Sequence, residues 1–163
     1  MHRTTIESPI GTITLVADDE ALVELHLPEE KAASATSAED TAPEQHAVLA
    51  QAAAELGEYF AGDRVEFEVP LAPHGTAFQL AAWQALRSIP YGETVSYGEQ
   101  ARRLGDRNLA RAVGAANGRN PLPIVVPCHR VVGANGSLTG YGGGPERKRT
   151  LLDLEAVVHA REY

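Results

Sequence analysis

The chain contains a single cysteine, Cys128, among its 163 residues. One cysteine can form neither an internal disulfide nor a cysteine-rich zinc site, so the stability of the fold has to come from a hydrophobic core. A hydrophobic content of 44% and a charged content of 22% are ordinary for a globular protein, and a chain of this length buries one substantial core or two small ones. These facts exclude a disulfide-stabilised scaffold and a zinc finger.

The sequence has no segment typical of a membrane-spanning or secreted protein. No apolar stretch approaches the roughly 18 to 20 residues needed to span a bilayer, and the N-terminus lacks a basic segment followed by an apolar run. A reduced thiol also suits the cytosol. We therefore expect a cytoplasmic protein without a membrane partner, and separately we expect a monomer.

Charge divides the chain near residue 75, although the net charge of the whole is -8. Residues 1–75 hold 3 basic and 15 acidic side chains, whereas residues 76–163 hold 11 basic and 7 acidic ones. Phosphate contacts come mainly from lysine and arginine, so only the second half has the charge expected of a nucleic-acid-binding domain. We predict a scaffold domain at 1–75 and a DNA-binding domain at 76–163, while a solvated acidic surface remains an alternative explanation of the asymmetry.

The first half predicts an antiparallel sheet and one helix. Alternating or β-branched apolar residues indicate strands. These are residues 3–7, 12–17, 21–27 and, as a further short strand, 65–69. Small polar residues at 28–43 indicate a surface loop, and apolar residues at helical spacing from Glu44 to Phe60 indicate an amphipathic helix. Three histidines are more typical of surface or packing positions than of metal ligands: His26, His46 and His74.

The second half begins with three predicted helices. Thr76 is a good N-cap for a helix that ends at Pro90, and Ser96-Tyr97-Gly98-Glu99 is a capping box that opens a helix to about residue 104. A third helix is expected over 107–117. The last two form a helix-turn-helix candidate, although most such pairs only pack together; the small residues of the third helix suit backbone recognition more than base readout. Five arginines favour DNA binding: Arg102, Arg103, Arg107, Arg111 and Arg119.

The stretch Ile124–Val131 surrounds the cysteine. Its β-branched residues, stopped by Pro127, predict a short buried strand that delivers Cys128 to a turn. A thiol attacks as its thiolate, and a free cysteine with a pKa of about 8.5 needs a base or a cation nearby to ionise at neutral pH. His129 and Arg130 are candidates for that role. A buried structural cysteine beside a packed histidine is the alternative that this stretch alone leaves open.

A glycine-rich loop and a final helix follow the cysteine. The loop spans 133–144, and Pro145 stands at the position that favours the start of a helix, here expected to reach about Val158. Glu155 lies in this helix. Its spacing alone favours a surface carboxylate, with a position facing His129 as the alternative.

Two blocks of sequence together resemble the signature of the O6-alkylguanine-DNA alkyltransferases, a family of direct-reversal DNA repair proteins. One block runs from Asn120 to Gly133 and continues in Gly140-Tyr141-Gly142-Gly143-Gly144, and the other is Arg111-Ala112-Val113-Gly114. The resemblance covers residues 76 to 155 and extends more loosely to the N-terminus. It implies an α/β (α+β) fold, with a ribonuclease H-like N-terminal antiparallel sheet plus helix and a mainly helical, winged helix-turn-helix-like catalytic domain.

The resemblance also implies a role for each candidate catalytic residue. Cys128 accepts the alkyl group, His129 draws the thiol proton through an ordered water, and Glu155 orients His129, as in a hydrolase triad. Tyr97 donates toward the departing guanine. Asn120 ties the helix pair to the turn that holds the cysteine.

The implied partner is double-stranded DNA containing O6-alkylguanine, bound through the minor groove with the damaged nucleotide turned out of the stack. Arg111 fills the vacated space. The alkyl pocket and the flipped guanine are contacted by Pro123, Val131, Tyr141, Gly142 and Gly143. No cofactor is implied, because the lesion is itself the alkyl donor. Some relatives carry a structural zinc, but histidine and cysteine do not cluster in this sequence, so no metal is expected.

Three other functions compete with alkyl transfer. A related sensor that binds damage without repairing it carries tryptophan in place of Cys128, and a regulator fused to a repair domain needs a four-cysteine zinc site; this sequence fits neither. A cysteine hydrolase built on Cys128, His129 and Glu155 would leave the helix pair and the glycine-rich loop without a role. Acceptance of O4-alkylthymine stays open.

Overall fold

The computed structural model describes residues 1–28, 38–138 and 140–162, with only the backbone of Glu162. The chain forms two compact units, Met1–His74 and Gly75–Tyr163. A sheet with one long helix in the first unit and a mainly helical second unit confirm the predicted α/β class. Within the described ranges, no helix has the length and apolar character needed to cross a membrane.

A four-stranded sheet forms most of the first unit. Its strands are β1 (His2–Ser8), β2 (Gly11–Ala17), β3 (Leu22–His26) and the short β4 (Glu39–Asp40). Their order is β3-β2-β1-β4, with β4 parallel to β1 and the other neighbours antiparallel. The first three strands confirm the prediction. The loop predicted at 28–43 is wrong at β4, and its residues 29–37 lie outside the described residues.

One helix, α1 (Ala47–Phe60), packs against this sheet. It begins at Ala47 and not at the predicted Glu44, because Pro43–Gln45 form a 3-10 turn and His46 caps the helix. The Nδ1 atom of His46 accepts the N–H of Leu49 at 3.3 Å. The buried side chains of the helix are Val48, Leu49, Ala52, Glu55, Leu56 and Tyr59.

The strand predicted at 65–69 is wrong. Backbone groups that a strand would pair with its neighbour bind instead to the buried carboxylate of Glu55, which lies on α1. Its Oε1 atom accepts the N–H groups of residues 68 and 69 at 2.9 and 3.0 Å. Pairing with β3 occurs only at Leu71, in an isolated bridge. A side chain of the helix has therefore replaced the sheet as the partner of this segment.

Replacing Glu55 with alanine should lower the free energy of unfolding by about 3 kcal/mol, because two backbone N–H groups lose their acceptor. Urea denaturation followed by circular dichroism measures the loss. The matched control is Glu58→Ala on the same helix, where the side chain is 48% exposed and binds Arg64; this change should cost less than about 1 kcal/mol. Equal losses in the two variants would contradict a special role for Glu55.

Helices dominate the second unit. They are α2 (Ala77–Leu86), α3 (Tyr97–Arg103), α4 (Ala110–Gly118) and α5 (Pro145–Glu162). Each confirms a predicted helix, but α2 stops before the expected Pro90, and α4 is preceded by a 3-10 turn at Arg107–Leu109. A parallel pair of two-residue strands, β5 (Val95–Ser96) and β6 (Val131–Val132), connects the start of α3 to the residues after the cysteine.

Buried amides join α3 to α4. Gln100 Nε2 donates to Asn117 Oδ1 at 3.1 Å, and Asn117 Nδ2 donates back to Gln100 Oε1 at 2.8 Å. The indole N–H of Trp83, on α2, donates to the carbonyl of Ala116 at 2.8 Å. Polar groups buried in this way have to be paired, so these bonds fix how the two helices meet.

The start of α3 forms only half of the predicted capping box. Ser96 Oγ accepts the N–H of Glu99 at 3.0 Å. In a complete capping box the carboxylate of Glu99 would accept the backbone N–H of Ser96. Here it accepts instead from Nε of Arg102, one turn along the helix, at 2.9 Å. The cap still sets the first residue of the helix, which is Tyr97.

Candidate active site

A tight turn, and not the predicted strand, delivers Cys128 to the site. The N–H of Val126 donates to the carbonyl of Leu122 at 2.8 Å, and Cys128 opens a 3-10 turn. Ile124 lies inside the first turn with φ of 76°, a left-handed conformation that costs a β-branched residue roughly 1 to 2 kcal/mol. Such strain persists only where surrounding bonds hold the backbone in place.

Asn120 supplies those bonds. Its Oδ1 accepts the N–H of Leu122 at 2.9 Å, and its Nδ2 donates to the carbonyl of Val126 at 2.8 Å. The same carbonyl accepts the N–H of Cys128 at 2.8 Å. One amide therefore closes both ends of the strained turn and fixes the backbone next to the cysteine.

His129 and Glu155 form a buried pair behind the cysteine. The side chains are 0% and 1% exposed, and Nε2 of His129 donates to Oε2 of Glu155 at 2.6 Å. The surface position that spacing favoured for Glu155 is therefore wrong, and the position facing His129 is the one observed. The other ring nitrogen, Nδ1, is buried and has no hydrogen-bond partner among the described residues. It is the nitrogen available to accept a proton.

Arg130 binds Glu155 on its other side. Nε donates to Oε1 at 2.8 Å and Nη2 to Oε2 at 3.1 Å, while Nη1 donates to the carbonyl of Ile89 at 2.8 Å. The guanidinium also lies over the ring of Tyr91, 5.5 Å from its centroid. The sequence suggested that Arg130 helps to ionise the thiol, but these side-chain hydrogen bonds go to Glu155 and to the carbonyl of Ile89.

These contacts fix the charge of the pair. Burial alone would raise the pKa of Glu155, but the hydrogen bonds and charges of His129 and Arg130 outweigh it and lower that pKa to about 2. Burial lowers the pKa of His129, with the bond to Glu155 acting in the opposite direction. Near neutral pH the site therefore holds an ionised carboxylate and a neutral imidazole whose free nitrogen is Nδ1.

Lys148 is a member of the site that sequence reasoning missed. It is fully buried, and its Nζ donates to the carbonyl of Val131 at 2.6 Å. Burial lowers the pKa of Lys148, and the charge of Cys128 opposes this shift. One signal in the sequence pointed to it: position 148 falls on the helical face of the buried Leu151 and Glu155.

Tyr97 stands between the helix pair and the glycine-rich loop. A Cβ on Gly140 would lie 2.8 Å from its hydroxyl, so position 140 has no room for a larger residue without movement, whereas a Cβ on Gly114 would make ordinary contact with its ring at 3.8 Å. Burial and the charge of Cys128 both raise the pKa of Tyr97. Its phenol is therefore protonated at neutral pH and can donate a hydrogen bond.

The remaining candidates lie at various depths around this cluster. Pro123, Val131 and Tyr141 are buried, Gly143 is half-buried, and Gly142 is exposed. The ring of Tyr141 lies 6.0 Å from Nζ of Lys148. Arg111 projects from α4 as an exposed side chain, with no ion pair shown among the described residues. The structure thus separates a buried cluster of candidate residues from an exposed arginine.

A different cluster lies in the first unit, where His2, Asp19 and His46 bring possible ligand atoms within 4.8 Å of one another. The expectation that histidines do not cluster is thus wrong for His2 and His46. The Nδ1 lone pair of His46 already accepts the N–H of Leu49, however. His46 can ligate a metal only after losing that cap or changing tautomer, because a metal ligand needs a free lone pair.

Comparisons with known proteins extend over both units. The model of the 6-O-methylguanine DNA methyltransferase ribonuclease-like domain matches residues 1–73, and that of the 6-O-methylguanine DNA methyltransferase DNA binding domain matches residues 77–157. A methylated-DNA-protein-cysteine methyltransferase of Mycolicibacterium paratuberculosis is 50% identical over 151 residues, which are 93% of this chain and 90% of the relative. The constitutive protein of that name from Bacillus subtilis is 44% identical, over 96% of each chain.

A solved structure is similar over nearly the whole chain. The crystal structure of Mycobacterium tuberculosis OGT in complex with DNA has a TM-score of 0.89 and 48% sequence identity, and the match covers 97% of this chain and 94% of that one.

Replacing Glu155 with glutamine should lower the free energy of unfolding by about 3 kcal/mol at neutral pH, the value of a carboxyl pKa held near 2 in place of 4.5. The ionised carboxylate stabilises the fold above pH 4.5, and this contribution is lost as the pH falls toward 2. The difference between wild type and variant should therefore shrink over that range in urea denaturation. The control, Asp153→Asn, changes a side chain that is 64% exposed on the same helix and should show no such trend. A constant difference would contradict a charge effect.

Proposed function

The chain belongs to the 6-O-methylguanine DNA methyltransferase family, and from this premise we propose that it repairs duplex DNA by moving the alkyl group of O6-alkylguanine to Cys128. The observation that carries the proposal is the setting of the only cysteine. His129, a proton acceptor held by the carboxylate of Glu155, follows Cys128 in the chain. The charge of Cys128 also affects the pKa values of the Tyr97 phenol and the buried Lys148 amine.

The first step is ionisation of the thiol. His129 gives its Nε2–H to Glu155, so its Nδ1 lone pair is the one that takes the proton, through an ordered water. The charge of the resulting thiolate and the positive charge of Lys148 favour each other. In a buried site each of these interactions is stronger than it would be in water.

The second step is an in-line displacement on carbon. A bond forms between Sγ of Cys128 and the alkyl carbon while the bond from that carbon to O6 breaks, and the electron pair moves into the guanine ring. Tyr97 donates its hydroxyl proton toward the departing base, and the imidazolium of His129 restores the proton balance. Overall the thiol proton replaces the alkyl group on guanine.

The reaction requires the damaged nucleotide to leave the base stack, which costs a few kcal/mol. The small residues along α4 allow its backbone to approach the minor groove, and Arg111 is exposed on that helix, where it can fill the space left by the flipped base. Pro123 and Tyr141 would then wall the alkyl pocket. The carbonyl of Val131 and the backbone of Gly142 and Gly143 would contact the guanine.

Each molecule acts once under this proposal. The product is a thioether, which water does not reverse, and the chain has no second cysteine to accept the group. No cofactor takes part, because the lesion supplies the alkyl group. A protein that acts alone on single lesions needs no second subunit, so we propose that it works as a monomer.

Intact mass measured after mixing the protein with duplex DNA carrying one O6-methylguanine tests the proposal. We expect one methyl group on the peptide containing Cys128 and repair that stops at one lesion per protein. Cys128→Ser should bind the duplex with little change but gain no methyl. An unmodified wild-type protein that still binds the lesion would indicate a sensor, and repair beyond one lesion per molecule would indicate a turnover enzyme.

Replacing Arg111 with alanine should slow repair of a duplex lesion about tenfold or more, because the flipped state loses the side chain that fills the stack. The deficit should shrink when the lesion is in single-stranded DNA, where no flipping is needed. Single-turnover rates on the two substrates give the comparison. Arg149→Ala removes the same charge from an arginine that is 56% exposed on α5 and serves as the control. Equal deficits on both substrates would make Arg111 a phosphate contact.

A further inference from the structure

Arg130 is buried in the second unit, yet the proposed reaction gives it no task. It is 7% exposed, and its guanidinium contacts both oxygens of Glu155 and the carbonyl of Ile89. A buried cation is retained only where its charge is compensated and its donors are satisfied. Here Glu155 compensates the charge, so Arg130 acts on the same carboxylate that binds His129.

Resting on the proposed function, we propose that Arg130 is a positioning residue: its fixed charge keeps Glu155 ionised and aimed at His129 and keeps the imidazole neutral near neutral pH, so that His129 is available to take the proton of Cys128. The geometry supports this because Oε2 of Glu155 accepts from His129 and Arg130 together, at 2.6 and 3.1 Å. The carbonyl of Ile89 and the ring of Tyr91 hold the guanidinium from the opposite side.

The balance of buried charge gives the reason. Arg130 and Glu155 together are neutral, and moving a proton from Cys128 to His129 leaves the whole group neutral. Without the arginine, Glu155 is an uncompensated buried anion, and the carboxylate and the imidazole bonded to it both hold protons more tightly. His129 would then take a proton from solvent at a higher pH and would no longer be available as the base for the thiol.

Other titratable groups around this pair do not replace the arginine. Lys148 and His159 belong to the same helix as Glu155, Tyr97 lies on α3, and Tyr91 lies under the guanidinium. Lys148 donates to the carbonyl of Val131. The ring of His159 lies against Gly92, whose N–H is 3.4 Å from Oε1 of Glu155. Arg130 is permanently charged, and it donates hydrogen bonds to both Oε1 and Oε2 of Glu155.

The experiment follows alkylation of Cys128 by iodoacetamide from about pH 4 to about pH 9 in the full chain, without DNA. Arg130→Met keeps most of the side-chain volume but removes the charge, and we expect the acid limb of its rate profile to move up by about one pH unit, which is about tenfold in rate below the limb. Arg130→Lys keeps the charge and should move the limb by less than half as much. Arg149→Met should leave the profile unchanged.

The outcomes separate this inference from the proposed function. A wild-type protein that accepts no methyl group overturns the function, whereas the iodoacetamide profile tests the role of the Arg130 charge by itself. An unshifted profile for Arg130→Met overturns the inference, and so does a lysine variant that shifts by a full unit. If fluorescence of Trp83 shows that Arg130→Met is unfolded, the lysine variant decides, because only a role for charge predicts a profile near that of the wild type.

Discussion

The hydrogen bonds accepted by the carboxylate of Glu155 are the interactions on which the candidate site of the second unit depends. It arrives on α5 and accepts hydrogen bonds from two consecutive residues of the cysteine turn, His129 and Arg130, while the N–H of Gly92 lies 3.4 Å away. Three segments distant in sequence therefore meet at two oxygen atoms. Because His129 and Arg130 are buried, loss of either leaves a polar or charged group unsatisfied, which costs several kcal/mol.

Around that carboxylate, backbone geometry places the cysteine. The left-handed Ile124 makes the turn sharp, and Asn120 holds both of its ends. The short strand β6 then pairs with β5, which leads directly into Tyr97 at the first position of α3. The phenol and the thiol come from different helices and turns, yet a continuous set of backbone hydrogen bonds connects their positions. Such rigid placement is what a displacement on carbon requires.

The buried reaction centre and the exposed arginines follow different physics. Charges at the centre are fixed in a low-dielectric interior, where each hydrogen bond changes a pKa and sets which group holds a proton. Arg111 is exposed, so any charge interaction that it makes with a polyanion is weakened by salt. Under the proposed function, DNA contacts made through exposed charges stay reversible, whereas the chemistry takes place in the buried site.

The sequence by itself determined the elements whose signals are local. Periodicity, capping residues and prolines located β1 to β3, α1 and the four later helices, and the two sequence blocks pointed to Cys128 and His129 as candidate site residues. The predictions failed where a side chain distant in the sequence decided the local structure. The strand predicted at 65–69 does not form, because Glu55 binds its backbone N–H groups. The strand predicted before Cys128 is a strained turn at Ile124 that Asn120 holds in place. The placement of Glu155 and the hydrogen-bond partners of Arg130 and Lys148 were decided by tertiary structure, because a hydrogen bond between residues more than fifteen positions apart leaves no periodic trace in the chain.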